Sequence, residues 1–339
     1  LNKVFDASLG SYYEEDPSTD KIFFIDIDES TLNDWGNPYF TPLDSLSKAI
    51  QICLLGKAKV IFIDISLDDR KSDFVSTSLL KNTLSSYTAL NVENQNTHII
   101  FPKIINSNRK IEDTLVDSIV TQNENFHFGI PIIYSSSSDK VTRYINYYTT
   151  YTNNGEERYI LNTALLATLL FKGYNDKDLE ALKLKLASNE KYSIPFNDNS
   201  LSISNKDIIA NRIKFYYQFG NNYSNHLHLN YSNRIEYNNI TDELKNLIKD
   251  KIVIIGVSDK SHSDDYYMTP VGQMPGMYIM GNAIYELINY KQLKTINYFY
   301  IIMIELITII FAAILFMRYD SVLAFLIATI ILLVALGPI

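Results

Sequence analysis

Short apolar runs flank an amphipathic segment near the start of the chain. Lys21–Asp28 and Lys59–Leu67 are rich in β-branched and aromatic residues, which predicts two buried strands. Between them, Pro42–Leu55 spaces its apolar residues three and four positions apart, which predicts an amphipathic helix that ends at Gly56. A strand, a helix and a strand in this order form a right-handed crossover, so the two strands are predicted to be parallel.

Further elements of both kinds follow along the polar part of the chain. The predicted strands are His98–Ile105, Phe126–Tyr134, Arg212–Gln218 and Ile252–Gly256, with a polar hairpin over residues 139–152. The predicted helices are Ile160–Phe171, Lys177–Ala187, Asp242–Ile248 and residues 281–291. This order predicts an α/β fold with a mixed, mostly parallel central sheet flanked by helices.

Two long apolar runs end the chain. Phe299–Met317 holds 19 residues with Glu305 as its one ionisable group, and Val322–Ile339 holds 18. About 20 apolar residues are needed to cross the hydrocarbon core of a bilayer. The few residues between the runs allow only a tight turn, so we predict a transmembrane helical hairpin. Two buried core helices are the alternative.

The change in composition also predicts the domain organisation. We expect one folded domain over residues 1–297 and two transmembrane helices over residues 298–339. The chain starts with Leu1, and its second apolar run ends in Gly337 and Pro338 before the last residue. We therefore interpret the sequence as part of a longer protein, truncated at both ends.

Charge and cysteine content exclude several classes of partner. The net charge of −8 argues against nucleic acid as the main partner, because nucleic-acid binding needs a basic surface. Cys53 is the one cysteine of the chain, which excludes a disulfide framework and a cysteine-based zinc site. Its place in the helical apolar pattern predicts that Cys53 is a core residue.

Acidic residues stand at the ends of three predicted strands. We name them the acidic strand-end cluster: Asp26, Asp28, Asp64, Asp259, Asp264 and Asp265. Ligands of open parallel sheets bind outside the carboxyl ends of the strands, so we expect these side chains to converge there. Crowded carboxylates repel one another unless a cation, an amine or a basic side chain compensates, which predicts a site for a cation or polar ligand. The alternative is that the strand acids Asp26, Asp28 and Asp64 cap helices and tie loops together.

Four segments resemble the CHASE type 2 (CHASE2) sensory domain family of bacterial transmembrane receptors. They are Ile25–Leu32, Gly56–Leu67, Ile213–Gly220 and the stretch from Lys251 through Thr269-Pro270 and Pro275-Gly276 into the helix after Gly281. The resemblance spans nearly the whole polar region. The chain departs from the family in one place, because the segment Asn37–Pro42 lacks the Arg that often closes this turn in family members.

The resemblance implies a sensor without catalytic residues. Residues 1–297 would lie outside the cytoplasmic membrane of a multi-pass receptor, bind an unknown small molecule or ion, and form a homodimer. Ligand binding or dimer rearrangement would pass through the membrane helices to a cytoplasmic cyclase or kinase output that is not in this chain. Glu305 would then face a neighbouring helix or dimer partner, or else lie near enough to the interface to reach water. A divalent cation at the acidic strand-end cluster is the one cofactor left open.

Two other functions compete with sensing. The segment from Asp26 to Ser30 has the outline of the nucleophile motif of haloacid-dehalogenase-type phosphatases, in which Asp26 would attack phosphorus, Asp28 would act as acid or base, and later acids would hold Mg²⁺. Ser258 stands where that motif expects glycine before the late acid, and no phosphate-binding lysine is identifiable. The third class is a purely structural module whose outer domain only dimerises.

Overall fold

The computed structural model describes most of the chain. The described residues are 20–36, 38, 40–67, 74–89, 97–121, 123–188, 190, 192–196, 199–203, 212–214, 226–228, 242–260, 265–289 and 298–318. The chain forms two compact units, Leu1–Gln292 and Leu293–Ile339.

The first unit contains strands and helices in an α/β order. The described strands are β1 (Ile22–Ile27), β2 (Val60–Asp64), β3 (His98–Pro102), β4 (Phe126–Gly129), β5 (Tyr134–Ser135), β6 (Thr142–Asn146), β7 (Tyr148–Asn153), β8 (Glu156–Leu161), β9 (Tyr192–Phe196), β10 (Asn199–Ile203), β11 (Arg212–Lys214), β12 (His226–His228), β13 (Ile252–Val257), β14 (Tyr266–Thr269) and β15 (Gly272–Pro275). The described helices are α1 (Glu29–Asp34), α2 (Leu43–Leu55), α3 (Phe74–Ala89), α4 (Asp117–Val120), α5 (Thr163–Phe171), α6 (Asp176–Ala187), α7 (Asp242–Ile248) and α8 (Gly276–Asn289).

Six of these strands form a central parallel sheet in the order β12-β1-β13-β2-β3-β4. Of these six strands, β13 comes last along the chain, yet it lies between β1 and β2, which are parallel to each other as predicted. Smaller antiparallel groups join β5, β6 and β11, and pair β7 with β8, β9 with β10 and β14 with β15. The predicted α/β fold with a mostly parallel central sheet flanked by helices is confirmed.

Alternate residues of each central strand face two separate apolar layers. On β1, Phe24 packs in the layer that contains α5 and α8, whereas Phe23 and Ile25 pack in the layer that contains α2 and α3. Nearly every side chain of α5 and α8 is buried, because both helices are apolar on almost all faces. Cys53 is fully buried in the other layer, as predicted, and burial raises the pKa of its thiol.

Two elements lie at positions other than those predicted, and in each case a short polar sequence explains the shift. Residues 139–152 do not form one hairpin, since β6 pairs with β5 and β11, while β7 pairs with β8. Asn154 and Gly155 both have positive φ, at 51° and 83°, and form the turn between β7 and β8. Such a pair favours a tight hairpin turn, and it sets the true position of the hairpin.

The start of α5 depends on one buried asparagine, and the helix was predicted three residues too early. Asn162 is 2 % exposed, and its Oδ1 accepts a hydrogen bond from the Ala164 N–H at 3.0 Å. Its Nδ2 donates to the Ile132 carbonyl at 3.1 Å. The helix therefore begins at Thr163, and Ile160 belongs to β8.

Replacing Asn162 by alanine is expected to lower the free energy of unfolding by about 2 kcal/mol, because it removes a helix cap and leaves buried groups without a partner. Asn175→Ala is the matched control, since Asn175 caps the exposed start of α6 through the Lys177 and Asp178 N–H groups. We expect a loss of about 1 kcal/mol or less there. Urea denaturation of the two variants measures the difference, and equal losses would contradict the importance of burial at Asn162.

The second unit contains one described helix, α9 (Tyr298–Arg318), which covers the first predicted apolar run and includes Glu305. In the described residues, no helix has both the length and the apolar character needed to cross a membrane. The predicted transmembrane hairpin is thus not found there. Its second half, Val322–Ile339, lies outside the described residues.

Candidate functional site

Asp26 and Asp64 lie in one row across the carboxyl ends of the central strands. Asp26 of β1 is in register with Gly256 of β13, and Gly256 is in register with Asp64 of β2. Side chains in register on adjacent parallel strands project from the same face of the sheet. The backbone of His228 on β12 continues the row on the other side of Asp26. Three neighbouring strands thus bring the two aspartates to the same edge and face, as their positions in the sequence predicted.

Gly256 lets α8 approach the sheet between the two aspartates. A Cβ atom at Gly256 would lie 3.0 Å from the Met277 Cβ and 3.3 Å from the Asp64 Cβ. A larger side chain would therefore push Met277 and its helix away from the strand ends. The absence of a side chain at Gly256 places the start of α8 directly over the row.

Asp26 accepts a hydrogen bond from a tyrosine of α8. The Tyr278 hydroxyl donates to the Asp26 Oδ2 at 2.5 Å, and both side chains are buried, at 4 % and 3 % exposure. The Tyr278 ring also packs edge-on against Phe24, with 4.9 Å between the centroids. Burial and the neighbouring Asp26 carboxylate raise the pKa of Tyr278, so the phenol stays protonated and remains the donor.

Asp64 and Asp265 form a pair of electrostatically interacting acids in the same region. Burial, followed by the charge of Asp265, raises the pKa of Asp64 well above its usual range. Burial also raises the pKa of Asp265, while a hydrogen bond from Tyr267 acts in the opposite direction. Asp64 and Asp265 are both half-buried. Two partly desolvated carboxyl groups that repel each other are not both ionised without cost, so the pair tends to keep a proton.

The Asp265 side chain lies on the first residue of α8. A Cβ atom at Gly276 would be only 2.1 Å from the Asp265 Oδ2, and the Gly276 N–H donates to the Asp265 carbonyl at 2.9 Å. Carboxylates are stabilised near helix N-termini, where unpaired N–H groups point outward. Asp265 therefore connects the start of α8 to Asp64 at the end of β2.

Asp28 supports the capping interpretation instead. Its Oδ1 accepts from the Thr31 N–H at 2.9 Å and from the Thr31 hydroxyl at 2.6 Å, and it caps α1. The Ser30 hydroxyl also donates to this carboxylate. Asp28 consequently has a local structural role that needs no ligand.

The remaining acids of the cluster follow β13. Asp259 is 7 % exposed. Burial and the charges of Asp259 and Asp26 raise the pKa of Tyr266, whose hydroxyl donates to the Ser258 carbonyl at 2.6 Å. Asp264 lies outside the described residues. Among the side chains that the structure does describe, no group of three or more His, Cys, Asp or Glu could hold a metal ion.

Sequence patterns pointed to the acids but not to their partners. Tyr278, Tyr267 and Gly276 complete the site, and all three come from the segment that includes β14 and α8. The helix was predicted from residue 281, which left its first turn outside the site, whereas α8 begins at Gly276. The Pro-Gly pair at 275–276 was the available signal, because proline and glycine commonly mark such boundaries.

The fold and the site define an α/β domain in which carboxylates near the ends of parallel strands contact the start of one helix, α8. The chain matches the family model of the CHASE2 domain over residues 2–317. It therefore belongs to the CHASE2 domain family, a family of extracytoplasmic sensory domains of membrane receptors. No curated protein and no solved structure matches the chain.

Proposed function

We propose that residues 1–297 form the input domain of a bacterial transmembrane receptor and sense through the acidic strand-end cluster and α8. One observation carries this proposal: Asp26 and Asp265 both contact the first turn of α8, and Asp265 lies beside Asp64. A change of charge at the strand ends therefore acts on one helix. That helix precedes the apolar C-terminal sequence, through which the signal would reach a cytoplasmic cyclase or kinase output.

The contacts of α8 explain how a local change would become a larger one. The helix is buried from Gly276 to Ile288, so it can shift only as a packed unit. A ligand cation or hydrogen-bond donor beside Asp64 would favour the ionised carboxylate and alter its contact with Asp265. Asp265 contacts α8 at Gly276, and Asp26 contacts it at Tyr278. Because these two residues of α8 lie within one helical turn of each other, both contacts would bias the same end of α8.

The same geometry argues against the phosphatase alternative. Asp26 is 3 % exposed and is held by Tyr278, and the Asp28 carboxylate is occupied by Thr31 and Ser30. A phosphate ester would have to displace these contacts to reach either carboxylate, whereas a nucleophile must approach its substrate directly. The proposed receptor input therefore needs no catalytic residue.

Removing the Tyr278 hydroxyl tests the role of α8. With the chain fused at its C-terminus to a histidine-kinase output, Tyr278→Phe is expected to change basal kinase activity by at least about threefold, because a hydrogen bond to a carboxylate contributes about 1.5–3 kcal/mol. Tyr87→Phe is the matched control, since the buried Tyr87 donates to the Thr97 carbonyl at 2.7 Å, away from α8. Equal activity of both variants and the unchanged chain would contradict relay through this helix.

The proposed location can be tested independently of signalling. Cys53 is buried, so a cysteine introduced at the exposed position Ser188 should be the main target of a membrane-impermeant maleimide. In intact cells, or in spheroplasts where an outer membrane is present, labelling of Ser188→Cys is expected to match labelling after lysis. Labelling that appears only after lysis would place the domain in the cytoplasm. Resistance of the chain to carbonate extraction tests membrane attachment, and sedimentation of the detergent-solubilised chain tests the proposed homodimer.

A further inference from the structure

A cavity of about 800 Å³ lies at the β4 edge of the sheet and shares no residue with the acidic strand-end cluster. Its walls come from the end of β3, from α4, β4 and α6, and from the hairpin of β7 and β8. Ligand pockets for small molecules span about 300–1,000 Å³, so the cavity has the size of a binding site. Aromatic side chains, including Tyr151 and Tyr159, line part of it.

One wall of the cavity carries an ion pair whose lysine is buried. Lys103 is 5 % exposed, and its Nζ donates to the Asp117 Oδ2 at 2.6 Å and to the Glu112 carbonyl at 3.1 Å. The same ammonium group lies 4.4 Å from the centroid of the Phe128 ring. A lysine this deeply buried is rare unless paired, and its charge is held at the cavity surface by these contacts.

Helix α6 contributes charged groups of both signs to the cavity. The Lys183 Nζ lies 2.6 Å from the Glu180 Oε1 one turn earlier on the helix. Asp176, at the start of the same helix, has an Oδ1 atom 3.4 Å from the Nδ1 of His127. Burial raises the pKa of Asp176, although the nearby Lys183 acts in the opposite direction.

His127 contributes hydrogen-bonding groups rather than charge. Burial, with smaller effects from His98 and Lys183, lowers the pKa of His127 to about 3. The His98 Nδ1 lies 3.1 Å from the His127 Nε2, so one neutral ring donates to the other. His127 is therefore neutral near pH 7, and the charges of the cavity come from its lysines and carboxylates.

We infer that this cavity binds a small zwitterion, a molecule with one ammonium and one carboxylate group, between the sizes of an amino acid and a short peptide. The lining carries both signs in similar number, through Lys103, Lys110 and Lys183 and through Asp113, Asp117, Asp176 and Glu180. A simple anion would compete with the lining carboxylates for the lysines, and a simple cation would be repelled by the lysines. A zwitterion satisfies both sets of groups at once.

Calorimetry on the full chain in detergent at pH 7 tests this inference. The probes are the twenty common amino acids and a set of dipeptides, each followed by its N-acetylated and C-amidated forms. We expect at least one zwitterion to bind, and to bind at least tenfold more tightly than either singly charged form. Absence of binding by every zwitterion, or equal binding by an N-acetylated form, would overturn the inference.

Matched lysine variants locate the binding site. Lys183→Met is expected to weaken binding of that zwitterion at least tenfold, whereas Lys245→Met should leave it unchanged. Both lysines pair with a carboxylate three residues earlier on a helix, at 2.6 Å and 3.1 Å, but only Lys183 lines the cavity. Equal effects of the two substitutions would show that the zwitterion binds elsewhere. Neither result depends on a signalling readout, so failure of this inference leaves the proposed input function intact.

Discussion

Replacement of Gly276 by alanine is expected to lower the free energy of unfolding by about 3 kcal/mol, in the upper part of the range for overpacking a well-packed site. The new Cβ atom would lie 2.1 Å from the Asp265 Oδ2 and 2.7 Å from both the Cγ and the Oδ1 of the same carboxylate. Asp265 or the start of α8 must therefore move. Urea denaturation of the full chain in detergent measures the loss, with the midpoint and slope recorded separately.

A double-substitution cycle identifies the cause of that loss. Asp265→Ala removes the atoms with which the new Cβ atom collides, so Gly276→Ala should cost much less in the Asp265→Ala background. The expected coupling free energy is about 2 kcal/mol, because residues in direct contact are not additive. A Gly276→Ala cost that is the same in both backgrounds would show that helix α8 itself rejects the methyl group and that Asp265 is not involved.

Asp64→Asn is expected to raise stability at pH 7–8 by about 1–2 kcal/mol and to flatten its dependence on pH. The pKa of Asp64 is raised in the folded state, so the folded chain keeps a proton that the unfolded chain loses near pH 4. The free energy of unfolding therefore falls as pH rises from about 4 through the folded-state pKa of the Asp64–Asp265 pair. Asparagine imitates the protonated carboxyl group and removes this loss. Denaturation midpoints between pH 4 and pH 8 provide the measurement.

Asp139 offers a control of opposite sign. The hydrogen bond from Arg143 lowers the pKa of Asp139 to about 2, so its ionised form stabilises the folded chain above pH 4 and this contribution is lost as pH falls towards 2. Asp139→Asn should therefore not raise stability at pH 7–8. A gain equal to that of Asp64→Asn would mean that a general decrease in net negative charge, and not the buried pair, causes the effect.

The sequence identified the strand ends because local patterns determine them. Lys21–Asp28 and Lys59–Leu67 are apolar runs with acids near their carboxyl ends. In a parallel sheet such acids lie at the carboxyl edge, and β1 and β2 place Asp26 and Asp64 there. No local pattern states which strands are neighbours. The position of β13 between β1 and β2 depends on pairing between distant segments, so the register of Gly256 with both aspartates was not predictable.

The partners of the acids were missed for a related reason. Tyr278 resembles any other aromatic residue on an apolar helix, and only the fold places its hydroxyl beside Asp26. Asp28 shows the opposite case, because Thr31 three residues later is a local capping signal that sequence can supply. The partner of a polar residue can thus be predicted when the two are close in sequence, whereas buried pairs between distant elements can be identified only from the structure.

The place of β13 also has a consequence for how the domain is made. β2 ends at Asp64, but the strand that separates it from β1 begins only at Ile252. Until that late segment emerges from the ribosome or the export channel, β1 and β2 each keep an unpaired edge, which is a template for pairing with another chain. Folding must therefore wait for nearly the whole domain, and contacts between residues so distant in sequence form slowly. A domain assembled in this way should depend strongly on protection of its nascent chain during synthesis and export.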